Sequence, residues 1–468
     1  MTVPHALDPD VLHPGVPHAG TADAGALHPA VGDPLLSSMN FLNEVAGRHP
    51  DALSLAAGTP HEGFYDVEDI HRALRVYSDH LRTATGRTEE QVRRTLLQYG
   101  RTKGIIHELI ARQLATDEGI HVDPEAILVT TGCQEALFLT LRVLRRDERD
   151  VLLAVNPAYI GVTGAARLLD LPVHPVAEGR DGVDLKDLAE RIAKARADGL
   201  DPRALYVVPD YANPSGLRMP EAARRALLDL AAREDILILE DDPYGLFPLG
   251  GDEDRVPTLK AMDTDRRVVH LGSFSKTVFP GARIGYAVAD QPVHDGPLLA
   301  DALARAKSMV TVNTSPIAQA VVGGRLLENG CSLVRATRRE ADVYRESLGR
   351  LLDGLAERFP ASSGVRWNTP AGGFFVVVEV PFDVTDETLE RSARDHRVLW
   401  TPLHHFYGSA VPLRCLRLSC SAVDPDDVDE ALDRFAAFVA AAGRPGSRGA
   451  QNSPGGTGES TGAVCPAV

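Results

Sequence analysis

Residues 127–130, 151–155, 205–208, 236–239, 268–271 and 284–289 form short runs that are almost wholly apolar. Longer stretches with apolar residues at helical spacing separate several of them, among them 134–144, 184–197 and 221–233. A strand with one wet face alternates apolar and polar residues, whereas a strand covered on both faces reads as a continuous run. Such strands alternating with helices predict a mostly parallel sheet between two helical layers, a three-layer α/β/α large domain. From about Asp301 the pattern changes. A helical stretch at 301–308 leads to apolar segments at 373–380 and 415–419, with helices expected at 385–395 and 426–442. This reads as a smaller α+β lobe, completed by N-terminal residues. The expected division is an arm over 1–34, an N-terminal segment of the small lobe over 35–75, the large domain over 76–304, the small domain over 305–442 and a tail over 443–468. Both ends are rich in Pro, Gly and small polar residues without an apolar period, the composition of mobile segments.

Composition narrows the function classes. A formal net charge of −16 argues against a nucleic-acid binder, which would carry a basic stripe. The five cysteines (Cys133, Cys331, Cys415, Cys420, Cys465) are odd in number and scattered. That is the usage of reduced thiols, not of a disulfide framework or a zinc site, and no metal is expected. No N-terminal leader pattern or membrane-length apolar run is present. The expected setting is the cytoplasm.

Functional loops in parallel sheets lie at the carboxyl ends of the strands, and every unusual cluster here follows one of the apolar runs. After the first comes TTGCQEAL at 130–137. A glycine between strand and helix leaves N–H groups open to an anion, so Gly132, Cys133 and Gln134 form either a phosphate cradle or an ordinary turn. After the second comes NPAY, where Tyr159 either stacks on a planar ring or packs a loop. After the third comes PDYANPSG, a turn that also presents the amide of Asn213. After the fourth comes EDDPYG: three acids ending a buried strand need a cation, either a metal or a protonated ring nitrogen. Asp241 is the candidate for the ring nitrogen, with Tyr244 in reach of a ring oxygen.

The fifth run leads into GSFSKTVFPGARIG at 272–285. The chain has six lysines against forty-three arginines, so a lysine at 276 points to a role other than solubility. Serine hydroxyls before it and Arg283 after it suit an amine beside a phosphate site. An amine, a phosphate cradle, a stacking aromatic, an amide donor and a buried carboxylate together describe a pyridoxal phosphate pocket, in which lysine carries the cofactor.

With these motifs the chain resembles the fold-type I pyridoxal phosphate enzymes of the class I/II aminotransferase family, with matching landmarks from about Leu53 to Ser421. The resemblance implies that Lys276 forms the Schiff base, that Ser273, Ser275 and Arg283 contact the phosphate, and that Asn213, Asp241, Tyr244 and Tyr159 surround the ring. LRLS at 416–419 resembles the segment whose arginine, here Arg417, pairs with the substrate α-carboxylate. AAGTP places Gly58 on the substrate side, and QYG at 98–100 makes Tyr99 a phosphate ligand reaching into the partner subunit of a homodimer. Cys133 stands where many relatives have serine, so a side-chain phosphate contact is not carried over there. SMNFLNEV, LQYGRTKG and GCQEAL look most like the aminotransferases that make phenylglycine-type amino acids in antibiotic pathways, with aminoadipate and aromatic aminotransferases as broader neighbours. The expected activity is transfer of an amino group between an aromatic or arylglycine amino acid and a 2-oxo acid.

Other readings compete. A transcription regulator built on this domain needs a winged helix, and only about fifty mostly Pro/His/Ala-rich residues precede Ala52. A non-transaminating pyridoxal enzyme on the same scaffold stays open, because reaction type depends on which bond lies over the ring. A dead scaffold is disfavoured by the intact Lys276, Asp241 and Arg417. For the side-chain pocket, His404, His405, Phe406 and Tyr407 either line it or form a packed loop cluster. Phe374 and Phe375 have the same two readings, and Glu62 and Asp66 are either polar contacts or surface acids.

Overall fold

The computed structural model describes residues 27–293, 296–408 and 412–443. Most of the arm and nearly all of the tail expected from the sequence, residues 1–26 and 444–468, lie outside the described residues. The first strand, β1 (Leu53–Ser54), lies apart from the main sheet. The main sheet has eight strands: β2 (Ile127–Thr130), β3 (Asp150–Asn156), β4 (Val173–Gly179), β5 (Gly182–Val183), β6 (Asp201–Val207), β7 (Leu237–Asp242), β8 (Val268–Ser273) and β9 (Gly285–Val288). Their order across the sheet is β2-β9-β8-β7-β6-β3-β4-β5. The pairs among β3, β4, β6, β7 and β8 are parallel, whereas β9 runs antiparallel to both β2 and β8.

Burial on both faces explains the continuous apolar runs. On β3, Leu152 and Ala154 pack with the helices Gly132–Leu144 and Ile160–Leu168. Leu153 and Val155 point the other way and pack with the helices Leu185–Ala197 and Glu221–Arg233. Each fully buried Leu or Ile contributes about 1.5–3 kcal/mol, so polar residues are excluded from either face. The edge strands β4 and β5 are absent from the sequence reading. β4 (VHPVAEG) buries only Val176 fully, and an edge strand interrupted by proline leaves no apolar run.

A second, antiparallel sheet follows in the order β10 (Arg366–Trp367), β11 (Phe375–Val384), β14 (Leu413–Ser419), β13 (Thr401–Pro402). β12 (Val398–Leu399) pairs in parallel with β1. Val45 of the helix Pro34–Arg48 and Leu55 share a core with β11, β14 and the helices Arg338–Arg358 and Val428–Ala442. N-terminal residues thus complete this part of the molecule. The helix expected at 385–395 is shorter, Asp386–Arg391, and gives way to a wider turn over Ser392–His396. There the Ser392 hydroxyl donates to the Val398 carbonyl at 2.9 Å and accepts from Trp400 Nε1 at 2.9 Å. Among the described residues no helix is long and apolar enough to cross a membrane.

Candidate active site

The carboxyl ends of β3, β6, β7 and β8 open on a cavity of about 400 Å³ whose other wall comes from the second sheet and the helix Pro34–Arg48. Cys133, Gln134, Tyr159, Asn213, Asp241, Tyr244, Ser273, Ser275, Lys276, Arg283, Gly58 and Arg417, singled out from sequence, all line it. Gly132 flanks it and Tyr99 does not reach it. Tyr99 is 85% exposed.

Lys276 follows β8, and its Nζ donates to the Gly58 carbonyl at 2.6 Å. Burial, then the positive charges of Arg283 and Arg417, pushes its pKa down to about 8. Gly58 is glycine for a packing reason, since a Cβ there would lie 2.8 Å from the Phe375 ring.

Asp241 near the end of β7 is buried. Tyr206 donates its hydroxyl to Oδ2 at 2.6 Å and the Cys133 thiol donates to Oδ1 at 3.4 Å. Burial still pushes the Asp241 carboxyl above its ordinary pKa, because these hydrogen bonds oppose desolvation only in part. Among the described residues no cationic side chain pairs with it. Of the three acids in this run, Glu240 stands beside a histidine. His270 lies 3.0 Å from Glu240, whose carboxylate also accepts from the Leu259 and Lys260 backbone at 2.6 and 2.9 Å. Asp242 accepts from the Gly245 N–H at 3.0 Å.

Arg417 on β14 is buried and crosses to the large sheet. It donates to Asn213 Oδ1 at 2.5 Å, the Ala56 carbonyl at 2.7 Å and Thr401 Oγ1 at 3.1 Å. Its guanidinium lies over Phe375, 4.2 Å from the ring centre, and near Phe406 at 5.1 Å. Burial pushes its pKa down to about 10, and among the described residues no carboxylate pairs with it. Its Nε is buried without a partner.

At the other end, Arg283 donates to Ser275 Oγ at 3.3 Å. Gly132 has φ +73°, and a Cβ there would collide with the Arg283 guanidinium. No side chain caps the helix Gly132–Leu144, so its first N–H groups face this corner with the positive end of the helix dipole. The Cys133 thiol is committed to Asp241. Gln134 directs its amide to the Gly161 carbonyl at 2.8 Å, which leaves the backbone as the donor at both positions.

Tyr244 is buried edge-on to Phe374 and Phe375, with its hydroxyl beside Asn213. Of the side-chain candidates, Phe406 and Phe375 line the cavity, whereas Phe374 packs behind it against Phe247 and Tyr344. His404 and His405 turn away toward Asp386. Glu62 is exposed, and Asp66 caps the helix Val67–Thr83 by accepting from the Glu68 N–H at 2.8 Å. Tyr206, Thr401, Leu42, Ala46 and Ile160 also line the cavity and were not singled out from sequence. Tyr206 carried a usable signal: it lies inside the predicted strand 205–208, and the next predicted strand along the chain leads into Asp241.

A buried unpaired carboxylate, an amine of lowered pKa and a buried unpaired guanidinium stand around one cavity, with a cationic corner beside them. Pyridoxal phosphate fits this donor set. The family profile for class I and II aminotransferases matches residues 62–435. The chain is 52% identical over 415 residues to the (S)-3,5-dihydroxyphenylglycine transaminase of Amycolatopsis orientalis, covering 89% of this chain and 94% of that one. It is 31% identical to the 2-aminoadipate transaminase of Thermus thermophilus, covering 83% and 90%. Among solved structures, the α-aminoadipate aminotransferase of Thermus thermophilus, complexed with N-(5'-phosphopyridoxyl)-L-leucine, superposes with a TM-score of 0.73 at 29% identity, covering 89% and 98%. The kynurenine aminotransferase of Pyrococcus horikoshii does so with a TM-score of 0.73 at 28% identity, covering 86% and 94%. The chain belongs to the class I and II aminotransferases, pyridoxal phosphate enzymes of the α/β fold type I.

Proposed function

We propose that the chain transaminates an arylglycine or related aromatic amino acid, with the cavity residues in the following roles. Pyridoxal phosphate, when bound, supplies the carbonyl that takes up the amino group and a ring that withdraws electrons from Cα. Asp241 would hold the proton on the ring nitrogen, and Tyr206 and Cys133 keep its carboxylate aimed. Arg283, Ser273, Ser275 and the backbone N–H groups of Gly132, Cys133 and Gln134 would hold the phosphate. Tyr159 would cover one ring face, and Asn213 and Tyr244 would meet the ring oxygen. Arg417 would bind the substrate α-carboxylate as a planar fork, oriented by Asn213, Thr401 and the Ala56 carbonyl. Lys276 Nζ would then move the proton from Cα, since a pKa lowered to about 8 leaves a larger share of free amine near neutral pH than an ordinary lysine has.

One observation carries the choice of substrate. Lys276, Arg283 and Arg417 are the cationic side chains lining the cavity among the described residues, and each has a task. No cation remains for a second carboxylate, and the rest of the wall includes Leu42, Ala46, Ile160 and Phe406. An apolar wall suits an aromatic ring and penalises a buried unpaired acid by several kcal/mol. The 52% identical relative, a dihydroxyphenylglycine transaminase, supports the same class. Arylglycines or phenylalanine should therefore exceed 2-aminoadipate in kcat/KM by at least about 100-fold. The check is steady-state kinetics with 2-oxo acid release. Equal or better use of 2-aminoadipate would refute this reading.

We also propose a homodimer in which Tyr99 reaches the phosphate of the partner. Leu97, Tyr99, Met309, Val310, Val312 and Ile317 are large apolar or aromatic side chains left exposed on one chain. The helix Glu89–Leu97 packs against the helix Pro316–Glu328, which carries Ile317. Light scattering should give twice the chain mass of 50.3 kDa, and Tyr99→Phe should weaken cofactor retention without dissociating the dimer. A monomer with full cofactor retention removes both statements.

A further inference from the structure

Outside the active site, three potential metal ligands converge. His404 and His405 lie on the helical turn Leu403–Tyr407, directly after β13. Asp386 opens the helix Asp386–Arg391 and stands 19 residues before His405. Folding brings Nε2 of His405 to 2.8 Å and Nε2 of His404 to 3.6 Å from the same oxygen, Oδ1 of Asp386. The two imidazoles are 4.2 Å apart between ring centres, and the three ligand atoms all lie within 4.8 Å of one another.

The arrangement is costly as a hydrogen-bonded cluster. The His404 and His405 side chains are 12% and 8% exposed, yet they share one carboxylate oxygen. His404 Nδ1 is buried, and the Val384 backbone stands beside the imidazole as a hydrogen-bond partner. A cation at the point of convergence accepts a lone pair from both Nε2 atoms and a charge from Asp386. Ligand atoms around a tetrahedral Zn²⁺, with bonds of about 2.0–2.2 Å, stand roughly 3.3–3.5 Å apart. The 3.6 Å pair already meets that spacing, and the 2.8 Å pair reaches it by opening about half an ångström. Two imidazoles and one carboxylate suit a borderline cation of this kind rather than Ca²⁺ or Mg²⁺, which take oxygen ligands. Asp386 is 44% exposed, so water can reach the cluster from its side.

We propose that Asp386, His404 and His405 form a binding site for a divalent cation of the zinc type, which braces the turn Leu403–Tyr407. The same turn carries Phe406, which lines the active-site cavity and lies against Arg417. The cation is structural: it clamps the cavity wall to the helix that begins at Asp386 and takes no part in amino transfer.

The test is a titration of the chelator-treated, tag-free holoenzyme with Zn²⁺ by calorimetry, repeated with Co²⁺ to read coordination from its visible bands. The expected result is one Zn²⁺ per chain with a tetrahedral-type Co²⁺ spectrum and a higher thermal midpoint with Zn²⁺. In the His404→Gln/His405→Gln variant the affinity should fall at least about 100-fold and the thermal shift should vanish. Asp386→Asn, at a half-buried position, should weaken binding about 10-fold or more, and serves if the double variant does not fold. The chain has sixteen histidines, so Zn²⁺ binding unchanged in both variants assigns the metal elsewhere and overturns the proposal. Absence of binding to the wild-type holoenzyme overturns it equally.

Discussion

Lys276→Ala will abolish turnover, with kcat falling by at least about 10⁴-fold, the upper end of what one positioned proton-transfer group contributes. The variant loses both the amine that would carry the cofactor and the base at Cα. The corner proposed to hold the phosphate is untouched, because Arg283 and Ser275 hold each other without Lys276. Pyridoxal phosphate should therefore still bind, reversibly, with its visible absorption altered. The wild-type amine also has a pH signature. Its pKa is pushed down to about 8, so the ammonium dominates below that pH and the nucleophilic amine above it. The rate at which cofactor-free protein takes up pyridoxal phosphate should rise with pH and level off above about 8. Retention of activity within tenfold of wild type in Lys276→Ala would remove the lysine from the mechanism. A rate that does not change across this range would remove the depressed pKa.

Arg417→Ala should be the next most damaging change, and its effect should follow the substrate carboxylate. The guanidinium is buried and holds Asn213, Thr401 and the Ala56 carbonyl, while no carboxylate among the described residues neutralises it. Deleting one partner of a buried, hydrogen-bonded charge pair costs about 2–5 kcal/mol, or roughly 30- to 5,000-fold in kcat/KM. Arg417→Lys keeps the charge but not the planar fork and should recover only part of the loss. An amine substrate without a carboxylate separates this role from a structural one. Its slow reaction should be nearly equal in wild type and Arg417→Ala, with cofactor content unchanged. An equal loss for both substrates would mean that Arg417 acts by holding the two sheets together.

Much of this protein was legible before folding was considered. Continuous apolar runs recorded strands covered on both faces, since burial of a whole strand leaves a one-dimensional trace. The clusters after those strands placed Lys276, Asp241, Asn213, Tyr159 and Arg283 at one end of the sheet, since parallel strands share a direction. The resemblance added Arg417, Gly58 and Tyr99, which no local pattern marked. Chain pattern records how deeply a residue is buried, but not which distant residue it meets. Only the tertiary structure brought Arg417 to Asn213, 204 positions apart in sequence. It also turned the Cys133 thiol and the Tyr206 hydroxyl onto Asp241. It set His270 on the neighbouring strand against the acidic end of β7, where parallel register puts Glu240 opposite His270. His404 and His405 looked like pocket candidates by their position beside Phe406. The tight turn at Leu403–Tyr407 sends Phe406 into the cavity and both imidazoles toward Asp386. That direction is a property of backbone geometry and packing between separate elements, and the order of residues does not contain it.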